Sequence, residues 1–296
     1  MTNQTPLPDP GAPGPSLDGQ PGTSVGRRWR ATTVPYLALR GSGQALELLG
    51  WVILARRLGS TAFGQLSVGV LVCRYGGLVA DWGASIAGVR DVAANRHPGS
   101  IRRLLRLRAL TTIGLSTAYV GATIVLGVAQ LAPLVLMLIG IGMNRDWIAL
   151  GQERGGRSAA PAALQGLLLA GLAVVSTSAT PSLAVAVSYG AGLMLSIALN
   201  PLPPLSAEQD QELEAVDAWM LLAVVSNQVL SSADIFLIAG LLSASAAGVY
   251  AAVYRIPNGW LALLVIVRSG LLPLATSLRH TDPDGFRDLR RTSIRW

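Results

Sequence analysis

Residues 159–177 read AAPAALQGLLLAGLAVVST, a run of 19 positions without one ionisable side chain. As an α-helix at 1.5 Å per residue it is about 28 Å long, close to the ~30 Å hydrocarbon core of a bilayer. Arg154 and Arg157 stand immediately before it, as basic residues do at the cytoplasmic mouth of a crossing helix.

The same reading extends in both directions. Towards the C-terminus, apolar runs occupy 183–199, 218–242 and 246–274; towards the N-terminus they occupy 133–150, 109–131, 63–89 and 33–55. Each approaches the ~20 residues a helix needs to cross. The sequence therefore predicts an all-α fold, a polytopic transmembrane helical bundle of about eight spans. Composition agrees. Only 13% of residues are charged, about half the usual share of a soluble domain, and mean hydropathy is +0.48. A chain of 296 residues cannot hide that much apolar surface in one soluble core.

All 23 basic residues are Arg, and the net charge is +7. The excess does not predict a nucleic-acid partner, because the arginines cluster between apolar runs and do not interleave with aromatic residues. Arg90, Arg96, Arg102, Arg103, Arg106 and Arg108 fill the connector after the second run, and Arg279, Arg287, Arg290, Arg291 and Arg295 fill the C-terminal segment. With the N-terminus cytoplasmic, every Arg-rich connector falls inside, and only Arg56 and Arg57 fall in external turns. Trp29, Trp51, Trp147 and Trp219 lie near span ends, where interfacial Trp is expected. The single Cys73 and the two His residues give neither a disulfide framework nor a thiolate or His-rich metal site. No metal or cofactor is predicted.

The expected organisation is a disordered cytoplasmic tail over 1–30, a six-helix lobe over 31–200 and an acidic cytoplasmic connector over 201–217. The first two helices of a second lobe follow over 218–278, then a polar cytoplasmic segment over 279–296. A short internal repeat supports two lobes. Leu58–Gly64 (LGSTAFG) and Leu242–Gly248 (LSASAAG) share Leu, Ala and Gly at equal spacing, each in the turn of a hairpin, as in transporters built from repeated halves.

The stretch Leu54–Gly64 (LARRLGSTAFG) resembles the first external turn of the oligosaccharide flippase family, part of the superfamily that also holds lipid II flippases and multidrug antiporters. Ala247–Ile256 (AGVYAAVYRI) resembles the start of that family's eighth helix. Ala80-Asp81-Trp82-Gly83 followed by Val89-Arg90-Asp91 resembles the end of its second helix. The resemblance covers roughly residue 33 to the C-terminus and rests on the order of low-specificity motifs. It implies a non-enzymatic membrane transporter that moves a polyprenyl-pyrophosphate-linked oligosaccharide across a bacterial plasma membrane. Its expected partners are the lipid-linked saccharide and membrane lipids. Family members have twelve or fourteen helices in two lobes, so a chain of about eight is expected to be a fragment, or a partial transporter completed by a second chain.

An ionisable side chain inside a span costs about 2.5–3.5 kcal/mol, so each one marks a candidate site. Arg40, Gln44 and Glu47 share one helical face, as do Ser67, Arg74 and Asp81. Tyr250, Tyr254, Arg255 and Asn258 lie around Pro257, and Asp234 lies in the preceding span. The resemblance implies that Arg40, Arg74 and Arg255, with Gln44 and Asn258, line a cavity and grip the pyrophosphate through guanidinium groups suited to bidentate contacts. Glu47, Asp81 and Asp234 are then charge partners or ion-coupling groups.

The competing reading is internal neutralisation, Arg40 with Glu47 or Arg74 with Asp81. Asp234 is equally open to pairing with Arg255. Arg145 and Asp146 beside Trp147 read as an interface anchor. Rival functions are a multidrug antiporter, which should favour carboxylates over arginines; a polymerase or ligase of polysaccharide assembly, which should carry a large external loop; and an inactive product.

Overall fold

The computed structural model describes residues 25–93, 98–176, 180–201 and 233–281, together with Leu222 and Ser226. All of the regular structure in these residues is helical, with no strand among them. The first helical stretch, Val25–Asp81, is broken at Gly59, where φ is 71° and ψ 170°. It forms two helices, α1 (25–58) and α2 (60–81). Glu47 and Arg74 would lie about 40 Å apart on a straight helix, yet their side chains meet at 3.3 Å. The chain thus turns back at Gly59, a backbone geometry that glycine adopts without steric cost.

Then come α3 (Ala84–Ala93), α4 (Pro98–Val125), a 3₁₀ turn (Ala129–Leu134), α5 (Val135–Gly142), α6 (Asp146–Gly151), α7 (Gly155–Val175), α8 (Pro181–Leu199) and α9 (Ala244–Thr281). Residues 233–241, before α9, are also helical.

Hydrogen bonds sort the turns to two ends of the bundle. At one end, Ser60 Oγ and Ser245 Oγ meet at 2.7 Å, and Ser182 Oγ donates to Gln130 O at 2.5 Å. Arg57 there donates to the Ala173 and Val174 carbonyls, satisfying acceptors that the end of α7 leaves open. At the other end, Thr33 Oγ1 donates to Gly270 O at 3.4 Å, and the Arg145 amide donates to Ser196 Oγ at 3.0 Å. The Arg-rich segments around Arg103, Arg106, Arg154 and Arg157 lie at this second end.

Among the described residues, five stretches are long and apolar enough to cross a membrane: Thr33–Asp81, Ala129–Gly151, Gly155–Val175, Pro181–Leu199 and Ala244–Gly270. The first contains the Gly59 turn, and each of its arms exceeds 30 Å by the helix rise. Large apolar side chains are exposed along α4 (Leu110, Ile113, Ile124, Val125) and α9 (Val249, Val253, Ile256, Trp260, Leu264). Monomeric soluble proteins rarely expose such continuous stripes; they fit a membrane protein.

The predicted boundaries need adjustment in two places. The third predicted span, 109–131, stops at Val125, and a turn through Gly127 (φ 67°) leads into the 3₁₀ segment. The fourth, 133–150, is discontinuous, since α5 ends at Gly142 and α6 starts at Asp146. Residues 25–30 of the proposed disordered tail are helical, as the start of α1; the rest of that tail, nearly all of the acidic connector, most of the seventh span and the end of the C-terminal segment lie outside the described residues.

Small residues set the closest helix contacts. A Cβ on Gly43 would stand 2.7 Å from Ala162 O, and one on Gly166 would strike Gly43 O, so α1 and α7 pack backbone to backbone. The crossing of α2 and α9 is reciprocal. A Cβ on Gly64 would strike Ala244 O, and one on Gly248 would strike Ser60 O. Aligning the repeat LGSTAFG with LSASAAG pairs Ser60 with Ala244 and Gly64 with Gly248. Each glycine therefore packs on the other repeat's equivalent of the small residue four positions before it. That pattern is what a local two-fold relation between the hairpin turns would give.

The main core gathers Trp51, Leu54, Phe63, Leu66, Met137, Leu138, Leu169 and Val185. Trp51 is 2% exposed and meets Phe63 edge-on at 6.5 Å. It is a core residue, and the interfacial position expected from the sequence is corrected: the Gly59 hairpin folds α2 over it.

Candidate functional site

A cavity of about 480 Å³ lies among α1, α2, α3, α5, α6, α7 and α8, and Ser269 of α9 completes its wall. Its polar α1 wall is Tyr36, Arg40, Gln44 and Glu47, spaced four, four and three residues apart, which keeps them on one face. Arg74 and Asp81 come from α2. Five of the sequence candidates, Arg40, Gln44, Glu47, Arg74 and Asp81, are thus brought together.

Glu47 is the hub of the deep end. Its Oε1 accepts from Trp51 Nε1 at 3.2 Å, from Arg74 Nη2 at 3.3 Å and from Tyr189 OH at 3.3 Å. An isolated buried charge would cost several kcal/mol, and paired donors remove most of that penalty. The Arg74 side chain is still 39% exposed, so part of its guanidinium faces the cavity.

Asp81 is matched differently from the expected Arg74 pair. Arg108 Nη2 meets Asp81 Oδ1 at 3.0 Å, and Arg108 Nε donates to Gly142 O at 2.9 Å. Nη1 donates to Ser85 Oγ and Nη2 also to Ile141 O, each at 3.4 Å. Arg108 is 2% exposed; the sequence assigned it to a cytoplasmic connector. It lies inside α4 and caps the carbonyls freed where α5 ends.

The shallow end is built on the break between α5 and α6. Asn144 Oδ1 accepts from the Asp146 amide at 2.6 Å, and Asn144 Nδ2 donates to Asp146 Oδ2 at 3.0 Å. This side-chain turn replaces helical hydrogen bonds at 143–145, a break in keeping with irregular backbone beside a cavity. Asp146 and Trp147 are 8% and 4% exposed. The interface anchor read from the sequence is therefore corrected: both residues are buried and line the cavity. Arg40 reaches Asp146 Oδ2 only at 4.0 Å, with its own side chain 37% exposed, so its partner is Asp146 rather than Glu47.

Arg255, Asn258 and Asp234 are not among the cavity-lining residues. The Arg255 guanidinium stacks 3.7 Å above the centroid of the Trp51 ring, a contact worth about 2 kcal/mol when desolvated. Asp234 accepts from Tyr250 OH, not from the expected Arg255. Tyr250 stacks on Tyr254 at 5.5 Å. Arg255 is thus tied to the site through Trp51 and Glu47, one ring away from the cavity.

No protein-family model, curated protein or solved structure matches this chain. The site therefore stands on its own residues. Two arginines line it against three carboxylates, Glu47, Asp81 and Asp146, so its charges are near balance. Sequence reasoning missed Tyr189, Asn144, Gln165 and Ser196, all of which line the cavity. Uncharged polar residues in an apolar run carry little signal until a register joins them to a charged neighbour.

Proposed function

We propose that this protein is a membrane transporter that moves a polyprenyl-pyrophosphate-linked oligosaccharide across a bacterial plasma membrane for surface-polysaccharide synthesis. The observation that carries the reading is the polar cavity inside an apolar bundle, with the guanidinium groups of Arg40 and Arg74 both part-exposed within it. Charged residues at this depth are costly unless they serve transport or pair internally, and Arg40 is only loosely paired. The resemblance of Leu54–Gly64 and Ala247–Ile256 to oligosaccharide flippases points the same way.

In this reading the chain crosses about eight times with its N-terminus cytoplasmic. It forms a six-helix lobe and the first hairpin of a second lobe, and the reciprocal packing of Gly64 and Gly248 supports two related lobes. The Arg-rich end is then cytoplasmic, and the cavity lies towards it. A lipid-linked headgroup would enter from the inner leaflet, its phosphates drawn to Arg40 and Arg74 while the chain's apolar exterior accommodates the prenyl tail.

In a strain lacking the native copy, Arg74→Ala should abolish saccharide export while membrane insertion stays normal. Undiminished export by that variant would overturn the assignment of Arg74.

A second reading, a multidrug antiporter for organic cations, is favoured by the three carboxylates of the cavity. The two readings separate on substrate: efflux of a lipophilic cationic dye that Glu47→Gln abolishes, without effect of Arg40→Ala, would favour the antiporter.

A further inference from the structure

The walls of the cavity differ in charge. Its arginines and carboxylates come from α1, α2 and α6, whereas no residue that lines it from α7 or α8 carries a formal charge. On that uncharged wall, Tyr189 OH donates to Glu47, and Ser196 Oγ is taken up by the Arg145 amide and Asn144. Gln165 makes no hydrogen bond within the described residues. Its side chain is half-buried, not sealed, and the amide keeps accessible surface. Gln165 Oε1 lies 3.6 Å from where a Cβ on Gly192 would stand. Gly192 also lines the cavity, so the amide borders a place where α8 presents no side chain.

Polar side chains in a membrane bundle commonly bond across helices. Gln44 follows Gly43 and Gln165 precedes Gly166, at the backbone-to-backbone contact of α1 and α7. Neither amide makes such a bond among the described residues.

We propose that Gln165, beside the bare Gly192, is a specificity-determining subsite for an uncharged hydrogen-bonding ring, the first sugar of the lipid-linked saccharide. A primary amide offers two N–H donors and a carbonyl acceptor. It can donate to one sugar oxygen and accept from a hydroxyl or an acetamido N–H. A phosphate is drawn instead to the Arg40 and Arg74 guanidinium groups, and an organic cation to the carboxylates. The space of about 480 Å³ lies within the ~300–1,000 Å³ of small-molecule pockets. A phosphate on the α1–α2 wall therefore leaves the α7–α8 wall to the group it carries. The subsite rests on the lipid-linked saccharide reading and names the residue that reads the sugar.

The test measures binding of two probes to the full chain in nanodiscs: undecaprenyl pyrophosphate, and the same lipid carrying one N-acetylglucosamine. The readout is the ratio of the two affinities. Wild type should bind the sugar-bearing lipid about fivefold more tightly, the worth of one net hydrogen bond between uncharged groups. Gln165→Leu, similar in size but without polar atoms, should bring that ratio close to one. Gly192→Ala keeps the amide but fills the space beside it, and should lower the ratio too; it decides the matter if Gln165→Leu does not fold. Equal binding of both lipids by wild type would overturn the subsite and leave the anionic-lipid reading standing. So would an undiminished ratio in the variants, or a loss of both affinities by the same factor. Binding of neither lipid by wild type would overturn both.

Discussion

Arg108 and Arg40 lie on the same polypeptide with opposite tasks, and their surroundings distinguish them. Arg108 is sealed and gives its donors to Asp81, Ser85 and the α5 carbonyls; removing it leaves a carboxylate and carbonyls without their partner. Arg108→Ala should cost about 3–5 kcal/mol and lower the melting temperature of the detergent-solubilised protein sharply. Arg40 is part-exposed and 4.0 Å from its partner, close to the regime where an ion pair contributes about 0–1 kcal/mol. Arg40→Ala should leave the melting temperature within a few degrees of wild type and weaken binding of undecaprenyl pyrophosphate instead. A large stability loss from Arg40→Ala, or none from Arg108→Ala, would reverse these assignments. The sequence marked Arg40, Gln44, Glu47, Arg74 and Asp81 because helical periodicity puts polar groups of one run on one face. It misassigned their partners because cross-helix pairing depends on register, which no single run contains.

The hairpin turns are the elements with the sharpest geometric signature. Ser60 Oγ and Ser245 Oγ are 2.7 Å apart, close enough for sulfur atoms in their place to bond at ~2.05 Å. The double variant Ser60→Cys, Ser245→Cys should form an intramolecular disulfide on mild oxidation, holding together fragments produced by cleavage between the two positions. Fragments that separate without reductant would contradict the α2–α9 crossing. Gly64→Leu should disrupt the same crossing, because even a Cβ there strikes Ala244 O; the readout is lost cross-linking in the Gly64→Leu background. The repeat Leu58–Gly64 and Leu242–Gly248 was visible in the sequence because small residues and spacing are local properties. The break at 143–145 was not, since apolar flanks on both sides of Asn144 read as one continuous run. Only the Asn144–Asp146 side-chain turn and the Ser196 contact explain why the chain stops being helical there.

At the scale of the whole molecule, apolar runs and sparse charge were enough to anticipate an all-helical chain suited to a bilayer. The cavity was not legible, because it arises where eight helices fail to fill the space between them. Orientation is open to a direct check. A cysteine at Ser100 should resist an impermeant thiol reagent applied to intact cells, and one at Ser60 should react with it; the opposite pattern would invert the topology.

Transport itself is tested most directly with purified protein in liposomes, by following the passage of a fluorescent undecaprenyl-pyrophosphate-linked sugar from one leaflet to the other. Wild type should speed translocation well above protein-free vesicles, and Arg74→Ala should return it to that background. Translocation no faster than in empty vesicles for correctly folded wild type, or an undiminished rate for Arg74→Ala, would contradict the account.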